Sequence, residues 1–187
     1  MEKPFTYLNA AALSDKGRRR KNNEDALVML PEHGVFCVAD GMGGAKGGEI
    51  ASRATCEKVQ IRFAEDPDAA YAVTATASAR LAARALNQAS QWIKTHADEH
   101  GLTGCGSTAV LLLFDQVDPA RACVLHAGDS RAYRLRNGTL KQLSTDHSVA
   151  AAAGVADDRD LPAMFRGVIT RAVGLETHVK LDETPVD

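Results

Sequence analysis

The chain has 187 residues, with 24 acidic and 22 basic side chains, a net charge of −2 and 45% apolar content. That length suits one domain, the near-neutral charge gives no overall drive toward nucleic acid or an anionic membrane, and the apolar share excludes a disordered chain. The longest aliphatic-aromatic run, residues 110–114, falls far short of a membrane span, and the N-terminal MEKPFTYLNA lacks the apolar stretch of a secretory signal. Four cysteines (Cys37, Cys56, Cys105, Cys123) show no CxxC spacing, and three lie in apolar stretches that read as core. The expectation is a cytoplasmic globular domain.

In chain order, residues 5–13 alternate loosely and 26–30 form an apolar run. Residues 34–39 read as a short buried strand ending at Asp40. A glycine-dense loop, DGMGGAKGG, leads into a helix with Glu49 in its first turn and Ile50, Ala54 and Val59 toward the core. Pro67 breaks it. A long alanine-rich helix then runs from about Asp68 to His100, with Leu81, Ala85, Ala89, Trp92 and His96 on one stripe. Strands are expected over 108–114 and 122–127, and 132–136 should pair with 139–143 across Asn137-Gly138, a strong hairpin signal. A loop over 150–160 and a short segment over 164–173 follow, and 177–181 reads as the start of another strand. Strands in blocks with helices grouped between them argue for α+β. There is no internal repeat and no linker.

The strongest local feature is Asp40-Gly41-Met42-Gly43-Gly44. A carboxylate at the end of a buried strand is held rigidly, and the glycines leave room for a ligand against the backbone. The same residues also suit a plain strand-to-helix turn. The spacing fits neither GxGxxG nor GxxxxGK[ST], so an acidic residue ahead of the glycines points to a metal. Asn23-Glu24-Asp25 precedes a strand that can lie beside the one ending at Asp40, and an all-oxygen site of this kind favours Mg²⁺ or Mn²⁺ over zinc. Before it, residues 16–21 (KGRRRK) form a basic cluster that suits a solvated face, nucleic acid or a phosphate. Gly128-Asp129-Ser130-Arg131 ends another apolar strand. His96 and His100 have helical spacing but no third zinc ligand, Cys105 has no evident activating base, and no serine elbow exists.

Taken in order, these elements resemble a known family. Ser14 through Arg20 to Asn23-Glu24-Asp25, then residues 38–52, GCGST, GDSRAY, LSTDHS and Thr170-Arg171-Ala172-Val173-Gly174 are similar to the motifs of bacterial metal-dependent protein phosphatases, the type 2C or PPM family. The resemblance implies an αββα four-layer sandwich of mostly antiparallel sheets flanked by helices, with a single phosphatase domain over 1–187 whose C-terminal part is missing. It implies that Asp40 bridges two Mn²⁺ or Mg²⁺ ions, that the Gly41 carbonyl binds one of them, and that Glu24 and Asp25 ligate directly or through water. Arg20 would hold the substrate phosphate, Asp129 would contact a third, weaker metal, and residues 150–160 would form the variable flap over the site. The implied reaction is hydrolysis of phosphoserine and phosphothreonine in proteins, with a cognate Ser/Thr kinase and its targets as partners; nucleic acid and membrane are not expected partners. Met42 stands where many eukaryotic members carry a histidine. The family's C-terminal Asp-Gly and Asp-Asn motifs have no match, and neither Asp182 nor Asp187 fits them. A phosphoprotein-binding pseudophosphatase is the alternative.

Overall fold

The computed structural model describes residues 8–65 and 74–187. Strands β1 (Asp25–Leu30) and β2 (Val35–Met42) form an antiparallel hairpin closed by a 3-10 turn at Pro31–His33, with Gly34 left-handed at φ 65°. Helices α1 (Gly44–Ala64) and α2 (Ala75–His100) follow. After them come β3 (Gly106–Ser107), β4 (Ala109–Phe114), β5 (Ala122–Ala127), β6 (Tyr133–Arg136), β7 (Thr139–Gln142), a one-turn helix α3 (Val149–Ala152) and β8 (Asp182–Val186). The main sheet has the order β1-β2-β4-β5-β8 with β3 on β2, all antiparallel, and β6-β7 is a separate hairpin. The α+β expectation holds. The described residues build one helix layer and one six-stranded sheet, plus the two-stranded hairpin.

Strict alternation sends one face of the sheet to the helices. Val28, Leu30, Val35, Cys37, Ala39, Leu111, Leu113 and Leu125 are buried there against Ala51, Val59 and Phe63 of α1 and Ala82, Leu86 and Ile93 of α2. All four cysteines are free and buried. The opposite face carries Leu27, Met29 and Val38, the last 53% exposed, and it continues beyond them to Asp40. The chemistry therefore lies on the face away from the helices.

Several expected elements are corrected. Residues 8–13 have no regular structure and are largely exposed, Leu13 at 92%, because no strand among the described residues offers them a partner; the start of that stretch and Asp68 lie outside the described residues. Helix α1 begins at Gly44, so Glu49 is past the first turn and instead pairs with Arg53 at 2.8 Å. Helix α2 begins at Ala75, capped by the Thr74 hydroxyl, which accepts from the Ala77 N–H. Its buried stripe passes through Ala89, Ile93 and Ala97, leaving Trp92 at 42% exposure. Trp92 stacks on His96, and His96 on His100, with centroids 5.0 and 4.1 Å apart. Residues 177–181 are not a strand. There the Val179 N–H donates to Asn87 Oδ1 on α2, and pairing with β5 starts only at Asp182. The Asn137-Gly138 turn has φ 51° and 75°, as the hairpin requires.

Candidate metal centre and phosphate site

The antiparallel register of β1 and β2 puts Asp25 directly opposite Asp40. Paired residues share a sheet face, so the two carboxylates stand side by side at the sheet's end. The chain reaches this point because Asn23 accepts from the Asp25 N–H through Oδ1 (3.1 Å) and donates through Nδ2 to Ser14 Oγ (2.7 Å). The Gly41 N–H donates to the Glu24 carbonyl at 2.9 Å. Arg20 reaches Glu24 at 3.6 Å, an exposed guanidinium beside the acidic rim.

Glycine is required where the loop meets α1. A Cβ on Gly41 would lie 1.9 Å from the Gly48 carbonyl oxygen, and one on Gly48 would lie 2.8 Å from the Gly41 carbon and oxygen. Both obstacles are backbone, so neither can swing aside. The dense glycines here let a strand end and the start of a helix touch.

The third strand end arrives through Thr108. Its N–H donates to the Asp40 carbonyl (2.8 Å), and its Oγ1 accepts from the Asp40 N–H (3.0 Å) and lies 2.7 Å from Ser130 Oγ. One buried hydroxyl thus links Asp40 to the residue after Asp129. Burial pushes the Asp40 carboxyl above its ordinary range, and the neighbouring Asp25 charge adds to this; Arg20 partly offsets both, while Asp129 pushes the same way. The site is an acidic cluster short of positive charge.

All six expected residues, Arg20, Glu24, Asp25, Asp40, Gly41 and Asp129, come to this one end of the sheet. A cleft of about 470 Å³ opens beside Asp129, lined by Arg131, Asp146, Ser148 and Asp158, with residues 150–160 along one wall. Arg131 is held by Asp146 through a fork at 2.5–3.0 Å. Cys105 is buried, its thiol pushed up by burial and bonded to the Gly47 carbonyl, so it is no nucleophile.

Sequence reasoning missed a second cluster, His126, His147 and Asp182, whose ligand atoms lie within 4.8 Å of one another. It does not fit a metal. The two rings stack nearly parallel at 4.7 Å, so their lone pairs run in separate planes, and Arg171 already brings a cation to Asp182 at 2.6 Å. No sequence signal pointed to Asp182. Only the β5–β8 register, His126 opposite Asp182, assembles this group.

An α+β frame that gathers aspartates from three strand ends beside an arginine is one class of architecture. Comparison with known proteins gives the family: the model for protein phosphatase 2C matches residues 16–158, and the chain belongs to that family. The serine/threonine phosphatase stp of Listeria welshimeri is 27% identical over 185 residues, covering 94% of this chain and 70% of that protein. PstP of Mycobacterium tuberculosis is 32% identical over 146 residues, 78% of this chain and 26% of that one. Among solved structures, PppA, described as a key regulatory component of T6SS in Pseudomonas aeruginosa, superposes with a TM-score of 0.80 at 35% identity, over 94% of this chain and 70% of its own. The catalytic domain of PstP, solved with 2 manganese ions, gives 0.72 at 27% identity, over 95% and 72%. The protein is a serine/threonine phosphatase that acts on phosphoproteins. No helix among the described residues is long and apolar enough to cross a membrane.

Proposed function

We propose that the chain hydrolyses phosphoserine and phosphothreonine by direct attack of metal-activated water. Glu24, Asp25, Asp40, the Gly41 carbonyl and Asp129 would hold the Mn²⁺ or Mg²⁺ ions, two in the centre and a third at Asp129. The observation that carries this reading is the in-register pair Asp25 and Asp40 at the sheet end, electrostatically coupled to Asp129 and short of positive charge. A donor set made only of oxygens suits these hard cations. When bound, such ions lower the pKa of water, neutralise phosphate charge and align in-line attack.

The protein's own residues do the rest. Arg20, exposed and next to Glu24, offers its guanidinium to the phosphate oxygens. Thr108 and the Gly41–Gly48 contact hold the strand ends so that the carboxylates do not splay apart under their own repulsion. The cleft beside Asp129 gives an extended segment bearing the phosphoresidue a place to lie. Four buried free thiols suit a reducing compartment, which supports a cytoplasmic enzyme working against a cognate Ser/Thr kinase.

The test is Mn²⁺-dependent hydrolysis of a phosphothreonine peptide by residues 1–187, with Asp40→Asn and a chelator as controls. Turnover that both controls abolish is the expected result. Folded protein that binds Mn²⁺ without turnover, or turnover indifferent to Asp40→Asn, overturns the reading.

A further inference from the structure

We propose that His147 is a positioning residue for the phosphatase site: held by Asp182, it clamps Gly128 and thereby places the carboxylate of Asp129. The inference rests on the reading of Asp129 as a metal ligand.

Both backbone groups of Gly128 are bound by one residue. The Gly128 N–H donates to His147 Nδ1 at 3.1 Å, and the His147 N–H donates to the Gly128 carbonyl at 3.0 Å. Gly128 is left-handed, with φ 107°, and its Cα is wedged so tightly against Thr108 that an added Cβ would lie 2.6 Å from the Thr108 methyl. Asp129 therefore follows a residue fixed on both sides, and it precedes Ser130, which Thr108 holds.

The ring of His147 is itself oriented. Accepting at Nδ1 requires the tautomer with its proton on Nε2; Asp182 Oδ2, 3.1 Å from that nitrogen, can accept it, and Arg171 Nη1, 3.2 Å from the same nitrogen, then turns its N–H to the carboxylate instead. Arg171 binds the other oxygen, Oδ1, at 2.6 Å, so the carboxylate cannot rotate freely. The His147 carbonyl also accepts from the Thr170 N–H at 2.8 Å, and His126 stacks on the ring. His126 Nε2 lies 2.8 Å from the Thr145 carbonyl oxygen and 3.3 Å from the Thr145 nitrogen, and its buried Nδ1 has no partner among the described residues. A residue on the last strand thus reaches the rim through two side chains, and burial holds His147 in the neutral form that can accept.

The test separates the two ends of the ring. Asparagine carries its amide oxygen on Cγ, where His147 has Nδ1, whereas glutamine places its polar atoms near the Nε2 position. In metal-free wild type, ¹⁵N shifts should show His147 unprotonated at Nδ1, and the Gly128 amide should be protected from exchange. His147→Asn should keep that protection, and keep Mn²⁺ affinity measured by electron paramagnetic resonance within about threefold. His147→Gln and His147→Ala should lose protection and weaken by about tenfold the Mn²⁺ step that Asp129→Ala removes. An Nδ1-protonated tautomer in wild type overturns the proposal without any variant, as does a glutamine variant that matches asparagine. If Asp129→Ala leaves Mn²⁺ binding unchanged, the ligand reading of Asp129 fails instead, while tautomer and exchange still judge the clamp.

Discussion

Removing the Thr108 hydroxyl tests whether the acidic strand ends are held by one buried group. Thr108 is 1% exposed, and valine conserves its shape while deleting the oxygen. The Asp40 N–H then loses its 3.0 Å acceptor, and Ser130 loses its 2.7 Å partner. An unsatisfied buried N–H costs about 1–3 kcal/mol; Ser130 is half-buried and can turn to water, adding little. For a chain of this size each kcal/mol lowers the melting midpoint by about 2–4 °C, so Thr108→Val should melt about 2–12 °C lower. Because the lost bond lies between Asp40 and Asp129, Mn²⁺ affinity should also fall about tenfold. Thr108→Ser keeps the oxygen and deletes a methyl, costing about 0.5–1.5 kcal/mol but leaving Mn²⁺ binding near wild type. Urea melts and Mn²⁺ titrations on both variants decide the matter. If valine lowers stability yet binds Mn²⁺ as wild type does, the hydroxyl is only a structural bond and the reasoning fails.

Gly48→Ala should destabilise by at least about 1–3 kcal/mol and reduce phosphatase activity, since its Cβ meets Gly41 backbone at 2.8 Å; urea melts and peptide turnover check both. Ile93→Ala should cost about 2–5 kcal/mol and Trp92→Ala clearly less, and the reverse order in urea would show the buried stripe of α2 to be misplaced. Burial would raise the Asp115 carboxyl, but the N–H groups of Asp118, Ala75 and Val117 outweigh it and hold the group below the ordinary carboxylate range. Its stabilisation is therefore full above the unfolded pKa and lost as pH falls through the folded one, and Asp115→Asn should flatten that part of a stability-against-pH curve. In chelator, Asp40→Asn should raise stability by about 0.5–2 kcal/mol, because it removes one member of a repelling carboxylate group; a lower urea midpoint would contradict the account of the site.

Much of the site was legible because it is written in local sequence. Asp25 and Asp40 sit next to apolar runs whose alternation sets strand register, and a short hairpin leaves only one pairing that buries Val28, Cys37 and Ala39 together. The glycines after Asp40 announced a close approach, though not that Gly48 was the surface approached. The stripe of α2 was harder. Ala85 and Ala89 fit two rows equally well, and in an alanine-rich helix the large Trp92 pulled the reading onto the wrong one. Tertiary contact chose Ile93, which fits beneath the Gly174 turn, where an added Cβ would lie 2.3 Å from its Cγ2. Residues 177–181 misled for a similar reason: Val179 and Leu181 pack on the core while the Val179 N–H goes to Asn87 rather than to a sheet partner. Asp182 had no signal at all, since its importance comes from standing opposite His126.

The rows across the sheet explain why the site sits where it does. Reading along one rim come Asp25 of β1, Asp40 of β2, Thr108 just before β4 and Gly128 just after β5; register joins the first two, a backbone hydrogen bond the next two, and close packing Thr108 to Gly128. The row two residues further in holds Leu27, Val38, Val110, His126 and Asp182. The rim alone would be self-repelling, since Asp25 and Asp129 both raise the energy of an ionised Asp40. What keeps it together is neutral: Thr108 within the rim, the Gly41–Gly48 contact beneath it, and His147, which joins Asp182 of the inner row to Gly128. These holds are backbone-directed hydrogen bonds and steric contacts, which stay in place whatever the charge on the carboxylates. A site fixed in this way keeps its oxygen donors close before any cation arrives, and the repulsion it stores is the part of the binding free energy that a divalent ion recovers.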